Sequence, residues 1–417
     1  MQNGAIDPRS LATPPSHINP TTAALLLRQL LPQQRWPIAL NKLPVGCALV
    51  GGAVRDGLLN RLAPHPDLDL VVPAGAIPLA RQLAQSHGGV AVVLDAERDM
   101  ARVVLGPYTL DLAACSGANL EEDLARRDYR INAMALPLDG NGPLLDPQGG
   151  LADLAKGLIT AISEQNLQDD PLRLLRGPRL AAELNFQLES ASSKLLQRHG
   201  ALLGQVAPER VLAELEKLAR CCHGSKGLEQ ATELGLLHPW LEPLQFCCNQ
   251  KLINPKKINL DAASPLTSVE AATALPLARL AQLFSARSLG RLKASKKLQQ
   301  RCQILRHWWQ SILQNPVLLE EEQLRLCLDL EADLGALVLL LPGATEGWLE
   351  RWRNPKDRLF HPRSPIDGAQ LQQQLGLSPG PAIGALLWQL TKARAFGKPH
   401  NLEAAKHFLD QLPRPHD

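Results

Sequence analysis

The hydrophobic positions of the chain follow two patterns, one typical of short strands and the other of helices. Between residues 44 and 145, apolar residues form short runs that end at turn residues, as buried strands do. These runs cover residues 47–50, 68–72, 90–94, 101–105 and 108–112. The last two are separated by Gly106-Pro107, which predicts a hairpin. Helical spacing surrounds them, over residues 21–43, 54–61 and 77–87. We therefore predict a small mixed α/β domain here.

After residue 150 the strand pattern fades, and Leu and Ala recur at helical spacing to the end of the chain. This predicts an all-α remainder. A stretch rich in Pro, Lys and Asn at residues 254–264 is the predicted boundary between two helical parts. We therefore predict a disordered tail, an α/β domain and two helical domains, over residues 1–20, 21–150, 151–253 and 254–417.

Composition narrows the class of protein only a little. The chain has 417 residues, and its 44 Lys and Arg nearly balance 41 Asp and Glu, which argues against a uniformly basic binder. Aromatic residues make up 4%, so the cores must be built from Leu, Ala and Val. The chain contains no run of ~18 apolar residues, so it predicts no membrane-spanning helix. The amino-terminal residues do not resemble a secretory signal, and the eight cysteines contain no Cys-x-x-Cys pair, so we expect reduced thiols and a cytoplasmic protein.

A pair of aspartates is the first candidate for chemistry. Asp67 and Asp69 stand two residues apart in a predicted strand, so their side chains point to the same face. Asp111, in the hairpin strand, is a candidate third carboxylate. Carboxylates this close repel each other unless a cation lies between them, and Mg²⁺ prefers oxygen ligands of this kind. The aspartate pair by itself is more typical of a solvated strand end with ordinary surface acids.

A glycine turn precedes these aspartates. Gly51 and Gly52 follow one predicted strand and open a helix that carries Arg55. Glycines let the backbone approach a phosphate, the first turn of a helix attracts anions, and an arginine adds a donor fork. The alternative is a tight turn followed by a surface arginine.

Two polar segments follow. In the first, Asn132 lies four residues after Asp128, so that on a helix both share one face. In the second, Asp170 as N-cap and Pro171 in the first turn predict a helix start. Arginines then recur every three residues, at Arg173, Arg176 and Arg179. Arginines on one face repel unless they meet phosphates or carboxylates, although a solvated amphipathic helix remains the alternative. Pro178 should kink this helix.

Taken in order, these segments resemble a known family. They read GGAVRD from residue 51, DLDLVV from residue 67, RRDYRINAMA from residue 126, DDPLRLLRGPRLAA from residue 169 and APERV from residue 207. This series resembles the class II tRNA nucleotidyltransferases and bacterial poly(A) polymerases. The resemblance implies an α+β fold with a polymerase β-like nucleotidyltransferase head, followed by an all-α neck, body and tail.

The resemblance also implies a reaction and roles for the residues. An RNA 3′-hydroxyl would attack the α-phosphate of CTP or ATP, with Asp67, Asp69 and Asp111 as catalytic residues and Mg²⁺ held by Asp67 and Asp69. Asp170 and Arg173 would pair with the edge of the incoming base. The other residues implied to bind nucleotide are Gly51, Gly52, Arg55, Arg126, Arg127, Asp128, Asn132, Arg176 and Arg179. The expected partner is tRNA.

The chain departs from the family between Asp111 and the RRD segment. Family members usually carry a longer loop there, which the family associates with the switch from C addition to A addition. The short connection leaves both CCA and CC-only addition open. A general poly(A) polymerase and a non-catalytic RNA-binding relative are the remaining alternatives.

Basic residues cluster in the predicted helical half. One cluster is predicted to bind RNA and comprises Arg287, Arg291, Lys293, Lys296 and Lys297. A second contains Arg351, Arg353, Lys356, Arg358 and Arg363. For each cluster, a solvated helix face is the alternative.

Overall fold

The computed structural model describes residues 18–32, 36–242, 265–343 and 345–411. Within it the chain forms two compact units. Unit 1 consists of residues 1–214 and 226–239, and unit 2 of residues 215–225 and 240–417. The predicted boundary at residues 254–264 and most of the predicted tail lie outside the described residues. The four-part division therefore stays a prediction.

Unit 1 is built around a mixed six-stranded sheet. Its strands are β1 (Ala48–Val50), β2 (Leu68–Val72), β3 (Val90–Asp95), β4 (Met100–Leu105), β5 (Tyr108–Ala114) and β6 (Ala135–Pro137). They follow the order β3-β4-β5-β2-β1-β6, in which β2 and β5 are parallel and the other neighbours are antiparallel. The five predicted strands and the hairpin are confirmed. β6 was not predicted.

The helices of the head, which we define as residues 18–156 of unit 1, cover and connect this sheet. They are α1 (Pro20–Leu30), α2 (Gly52–Leu58), α3 (Ala76–His87), α4 (Leu120–Ala125) and α5 (Gly150–Lys156). The predicted helix over residues 21–43 is too long, because α1 ends at Leu30. Pro32 follows closely, and a proline disfavours the helical conformation of the residue before it. A short 3₁₀ turn, Leu40–Lys42, follows.

The region after the head is helical apart from one small exception. Its helices are α6 (Glu164–Asp169), α7 (Leu172–Leu184), α8 (Ser190–His199), α9 (Pro208–Arg220) and α10 (Gly224–Glu233). Two short parallel strands, β7 (Leu158–Ile159) and β8 (Gln187–Leu188), were not predicted.

The sheet has a buried face and a polar face. Leu110 and Leu112 of β5 are almost fully buried, as are Leu68 and Leu70 of β2. Because side chains alternate along a strand, Asp69 and Asp111 share the opposite face. Burial of the leucines thus fixes the direction in which both carboxylates point.

Unit 2 is all-α in its described part. Its remaining helices are α11 (Ser268–Leu283), α12 (Ala286–Arg291), α13 (Lys296–Gln314), α14 (Glu320–Asp329), α15 (Leu334–Leu340), α16 (Trp348–Arg353), α17 (Gly368–Leu375), α18 (Pro381–Ala395) and α19 (Leu402–Gln411). Leu, Ala and Trp309 fill its core, as the aromatic-poor composition predicts. In the described part of the chain, no helix is long and apolar enough to span a membrane.

Candidate active site

Two aspartates lie side by side on the central strands. Asp69 of β2 and Asp111 of β5 are register partners in a parallel pair. Neighbouring strands are about 4.8 Å apart, so the two carboxylates start from adjacent backbone positions. Asp67 directly precedes β2, rather than lying within the strand as predicted. The predicted grouping of the three aspartates is therefore consistent with the topology of the sheet.

The Asp69 carboxyl group lies in an unfavourable place for a negative charge. Burial raises its pKa, and the charges of Asp111 and Asp67 raise it further. Arg127 and a hydrogen bond donated by the Gly52 backbone N–H act in the opposite direction, but the net pKa remains above its ordinary value. A cation bound beside Asp69 would relieve this cost.

The glycine turn is shaped around the same carboxylate. Gly51 has a φ of +72°, and a Cβ atom there would lie 2.5 Å from Oδ2 of Asp69. Any other residue would therefore collide with the carboxylate and also strain the backbone. Gly51 thus leaves room for the Asp69 carboxylate, and its predicted contact with phosphate stays a prediction.

Asp111 has a partner that was not predicted. Arg102 of β4 is its antiparallel register partner. The Arg102 Nε and Nη2 atoms donate to the Asp111 Oδ1 and Oδ2 atoms at 2.7 and 2.8 Å. Arg102 belongs to none of the motifs, and only the register of the hairpin brings it to this position.

The donor set suits a divalent cation. All three aspartates offer hard carboxylate oxygens, two of them on the adjacent central strands β2 and β5 and the third directly before β2. Among the described residues, however, no three His, Cys, Asp or Glu side chains form a ready-made metal cluster. Both oxygens of Asp111 accept hydrogen bonds from Arg102, so a cation bound to the same oxygens would lie close to the positive charge of the guanidinium.

Arg55 is enclosed within the protein. It is 6% exposed, and its guanidinium donates to Asp56 and to the Asn132 side chain at 2.8 to 3.0 Å. Glu183 lies 3.5 Å away. The predicted contact of Arg55 with phosphate stays a prediction. In this structure Arg55 links α2 to Asn132 through a hydrogen bond.

The RRD segment is also internally paired. Arg126 donates to Ser116, and Arg127 pairs with Asp123 at 3.2 Å. The buried Asp128 accepts a hydrogen bond from Asn132 and lies 2.8 Å from Arg176. Although burial alone would raise the pKa of Asp128, Arg176 and hydrogen bonds to the carboxylate hold it below its ordinary value.

The predicted helical geometry of this segment is wrong. α4 ends at Ala125, and only Arg130–Asn132 form a 3₁₀ turn. Asp128 and Asn132 still meet, at 3.2 Å, because the intervening turn is compact. The predicted proximity of Asp128 and Asn132 is therefore correct, but the two residues meet across a turn and not along a helix.

The second polar segment precedes and enters α7. The helix begins at Leu172 with Pro171 as its N-cap residue, so the prediction of Asp170 as N-cap is wrong. The carboxylate of Asp170 lies 3.1 Å from Arg210, while Arg173 donates to the Arg126 and Asn166 carbonyl groups. Asp170 and Arg173 therefore both flank the start of the helix, each with its own protein partner.

The arginines further along α7 meet carboxylates, one of the two outcomes that their spacing predicted. Arg176 faces Asp128, and Arg179 contacts Glu214 at 2.7 Å as well as Glu183. α7 continues through Pro178 to Leu184. Gly177 is needed there, because a Cβ atom would lie 2.5 Å from the hydroxyl of Tyr129.

A compact turn over residues 115–119 connects β5 to α4. The Ser116 N–H donates to Asp123 at 3.0 Å, and the Ala118 N–H donates to Glu122 at 2.9 Å. Asn119 caps α4 through the Glu122 N–H. The short connection predicted from the sequence is therefore a turn fixed to the helix that follows it.

Both basic clusters are exposed, and both contain paired arginines, such as Arg287 with Glu242 in the first. All five members of the first cluster lie on the surface of α12, α13 and the turn between them. In the second, Arg351 pairs with Asp357, Arg353 with Glu270, and Arg363 with Glu331. Binding of RNA by the first cluster therefore stays a prediction.

Comparisons with known proteins agree with this geometry. The family described as "Poly A polymerase head domain" matches residues 111–160, and "Probable RNA and SrmB- binding site of polymerase A" matches residues 185–247. A CC-adding tRNA nucleotidyltransferase of Synechocystis is 34% identical over 404 residues, covering 91% of this chain and 97% of that protein.

A relative that matches part of the chain and a solved structure with a similar fold are also tRNA nucleotidyltransferases or CCA-adding enzymes. An A-adding tRNA nucleotidyltransferase of Deinococcus radiodurans is 40% identical over 49% of this chain and 47% of its own length. The fold matches that of the Thermotoga maritima CCA-adding enzyme complexed with tRNA, with a TM-score of 0.66 and 20% identity over 88% of this chain and 90% of that one. The similarity along nearly the whole Synechocystis protein establishes that the chain belongs to the family of class II tRNA nucleotidyltransferases.

Proposed function

We propose that this tRNA nucleotidyltransferase adds the two C residues to the tRNA 3′ end from CTP and does not add the terminal A. The observation that carries the proposal is the turn over residues 115–119, in which backbone N–H groups are bound to Asp123 and Glu122. The family resemblance associates a longer, mobile loop at this point with A addition. The CC-adding relative from Synechocystis is consistent with the same specificity.

The reaction exchanges one phosphorus–oxygen bond for another. The 3′-hydroxyl of tRNA releases its proton to water and its oxygen attacks the α-phosphate of CTP, while the bond from the α-phosphorus to the bridging oxygen breaks, releasing pyrophosphate. We propose that Asp67, Asp69 and Asp111 hold Mg²⁺, which when bound acidifies the attacking hydroxyl and neutralises the leaving group. The raised pKa of Asp69 supports this, since a carboxylate destabilised by burial and by like charges gains most from a cation.

We assign pairing with the edge of the incoming base to Asp170 and Arg173. Both residues flank the start of α7, and Asp170 offers an acceptor while Arg173 offers donors. Cytosine presents an amino group beside ring acceptors, which matches this pair. Adenine presents a similar edge, so this pair alone does not separate C from A. The discrimination is therefore assigned to the turn over residues 115–119.

Primer extension with separate nucleotides tests the specificity. Three tRNA transcripts would end before the C residues, after one C and after both, and each would receive CTP, ATP or both. We expect two C residues with CTP, no product with ATP, and products that stop at CC with both nucleotides. Addition of A to the transcript ending in CC would contradict the proposal. Long A tails on an unrelated RNA would indicate a poly(A) polymerase, and no incorporation at all would indicate a non-catalytic relative.

The first basic cluster should supply phosphate contacts with tRNA. Replacing Lys296 and Lys297 together by Ala is expected to weaken tRNA binding and to lower the slope of log affinity against log salt by about 2. Filter binding over a salt series measures both quantities. The matched control replaces Arg363 and Lys398, which are paired with Glu331 and Glu320. An equal change in slope for both double variants would contradict this assignment.

A further inference from the structure

Arg102 shares the sheet face of the proposed metal ligands. It lies on β4 opposite Asp111, which in turn lies opposite Asp69 on β2. Three consecutive strands therefore place a guanidinium group and two carboxylates in one row across the sheet. None of the sequence motifs includes Arg102, and the family resemblance assigns it no role.

The contact between Arg102 and Asp111 engages both carboxylate oxygens. Nε donates to Oδ1 and Nη2 donates to Oδ2, at 2.7 and 2.8 Å, which is the paired geometry of a guanidinium with a carboxylate. The side chain of Arg102 is 45% exposed, so it has room to move into solvent. A cation that needs the same oxygens has to compete with this contact.

We propose that Arg102 is a resident counter-ion, which Asp111 exchanges for the divalent metal. In the metal-free protein the guanidinium offsets the repulsion between Asp111 and Asp69. When a divalent cation binds, Asp111 turns its oxygens from Arg102 to the cation. Arg102 is thus a positioning residue that lowers the metal affinity of the site. This inference rests on the metal ligands given in the proposed function.

Direct binding of Mn²⁺ to the full-length protein tests the exchange, measured by electron paramagnetic resonance. We expect Arg102→Gln to bind Mn²⁺ about three- to tenfold more tightly than wild type, the range of a partly exposed paired arginine. The Mn²⁺ affinity of Arg102→Lys, which retains the charge but not the pair of hydrogen bonds to Asp111, should lie between those of wild type and Arg102→Gln. The matched control is Arg98→Gln, because Arg98 lies in the turn between β3 and β4 and is paired with Asp95. That variant should bind Mn²⁺ as wild type does.

The outcomes separate this inference from the proposed function. Equal Mn²⁺ affinity for Arg102→Gln and Arg98→Gln would overturn the exchange, and weaker binding by Arg102→Gln would show that Arg102 supports the metal instead. If Asp69→Asn and Asp111→Asn bind Mn²⁺ as wild type does, the metal ligands themselves are wrong. As an independent readout, Arg102→Gln should reach half-maximal transfer at a lower Mn²⁺ concentration.

Discussion

Replacing Asp69 by Asn is expected to lower the rate of CTP transfer at least about a thousandfold, since the charge that binds the metal and the developing phosphate is lost. Asn has nearly the same shape, so the turn at Gly51 can still pack against it. Asp111→Asn should have a similar effect, because the two residues are register partners. Binding of tRNA should remain nearly unchanged, since the first basic cluster lies in unit 2.

Single-turnover incorporation of labelled CTP, together with filter binding of tRNA, measures the two effects separately. Asp95→Asn is the matched control, because Asp95 lies on the same sheet but its Oδ1 atom accepts hydrogen bonds from the Glu97 and Arg98 backbone. An Asn retains such an acceptor, and this variant should transfer CTP at the wild-type rate. If Asp69→Asn retained more than about a tenth of the wild-type rate, Asp69 would not hold a metal essential to the reaction.

The grouping of the candidate residues Asp67, Asp69 and Asp111 could be predicted in part because it depends on local patterns. The alternation of Asp67, Leu68, Asp69 and Leu70 predicts a strand with acids on one face, and the hairpin at Gly106-Pro107 predicts a neighbour carrying Asp111. These features require only short stretches of sequence. The sheet order then places β5 beside β2, and the parallel direction of this pair was not predicted.

The missed contacts depend on register and on distant segments. Arg102 meets Asp111 only because the hairpin pairs those two positions, and a shift of one residue would turn Arg102 to the other face. Arg176 meets Asp128 across 48 positions of sequence, which no periodicity encodes. The strands β6, β7 and β8 have two or three residues each, too few to display an alternation.

A stability prediction of comparable size concerns Arg279 of α11. This residue is 1% exposed, and its Nη1 atom donates to the Ala219 and Cys221 carbonyl groups at 2.6 and 2.7 Å. Nη2 donates to the Cys222 carbonyl group, and Nε donates to Ser225. The guanidinium thus satisfies carbonyls at and beyond the carboxyl end of α9, where a helix leaves acceptors unpaired and favours positive charge.

Replacing Arg279 by Met should therefore lower the free energy of unfolding of unit 2 by about 3–5 kcal/mol, since several buried carbonyl groups lose their donor. Urea denaturation followed by tryptophan fluorescence measures the loss. Arg279→Lys should be intermediate, because one ammonium group cannot reach all these acceptors, and the exposed Arg287→Ala should change stability by less than about 0.5 kcal/mol. A loss below about 1 kcal/mol for Arg279→Met would mean that water replaces the guanidinium at these carbonyls, and that the end of α9 is more open than its packing indicates.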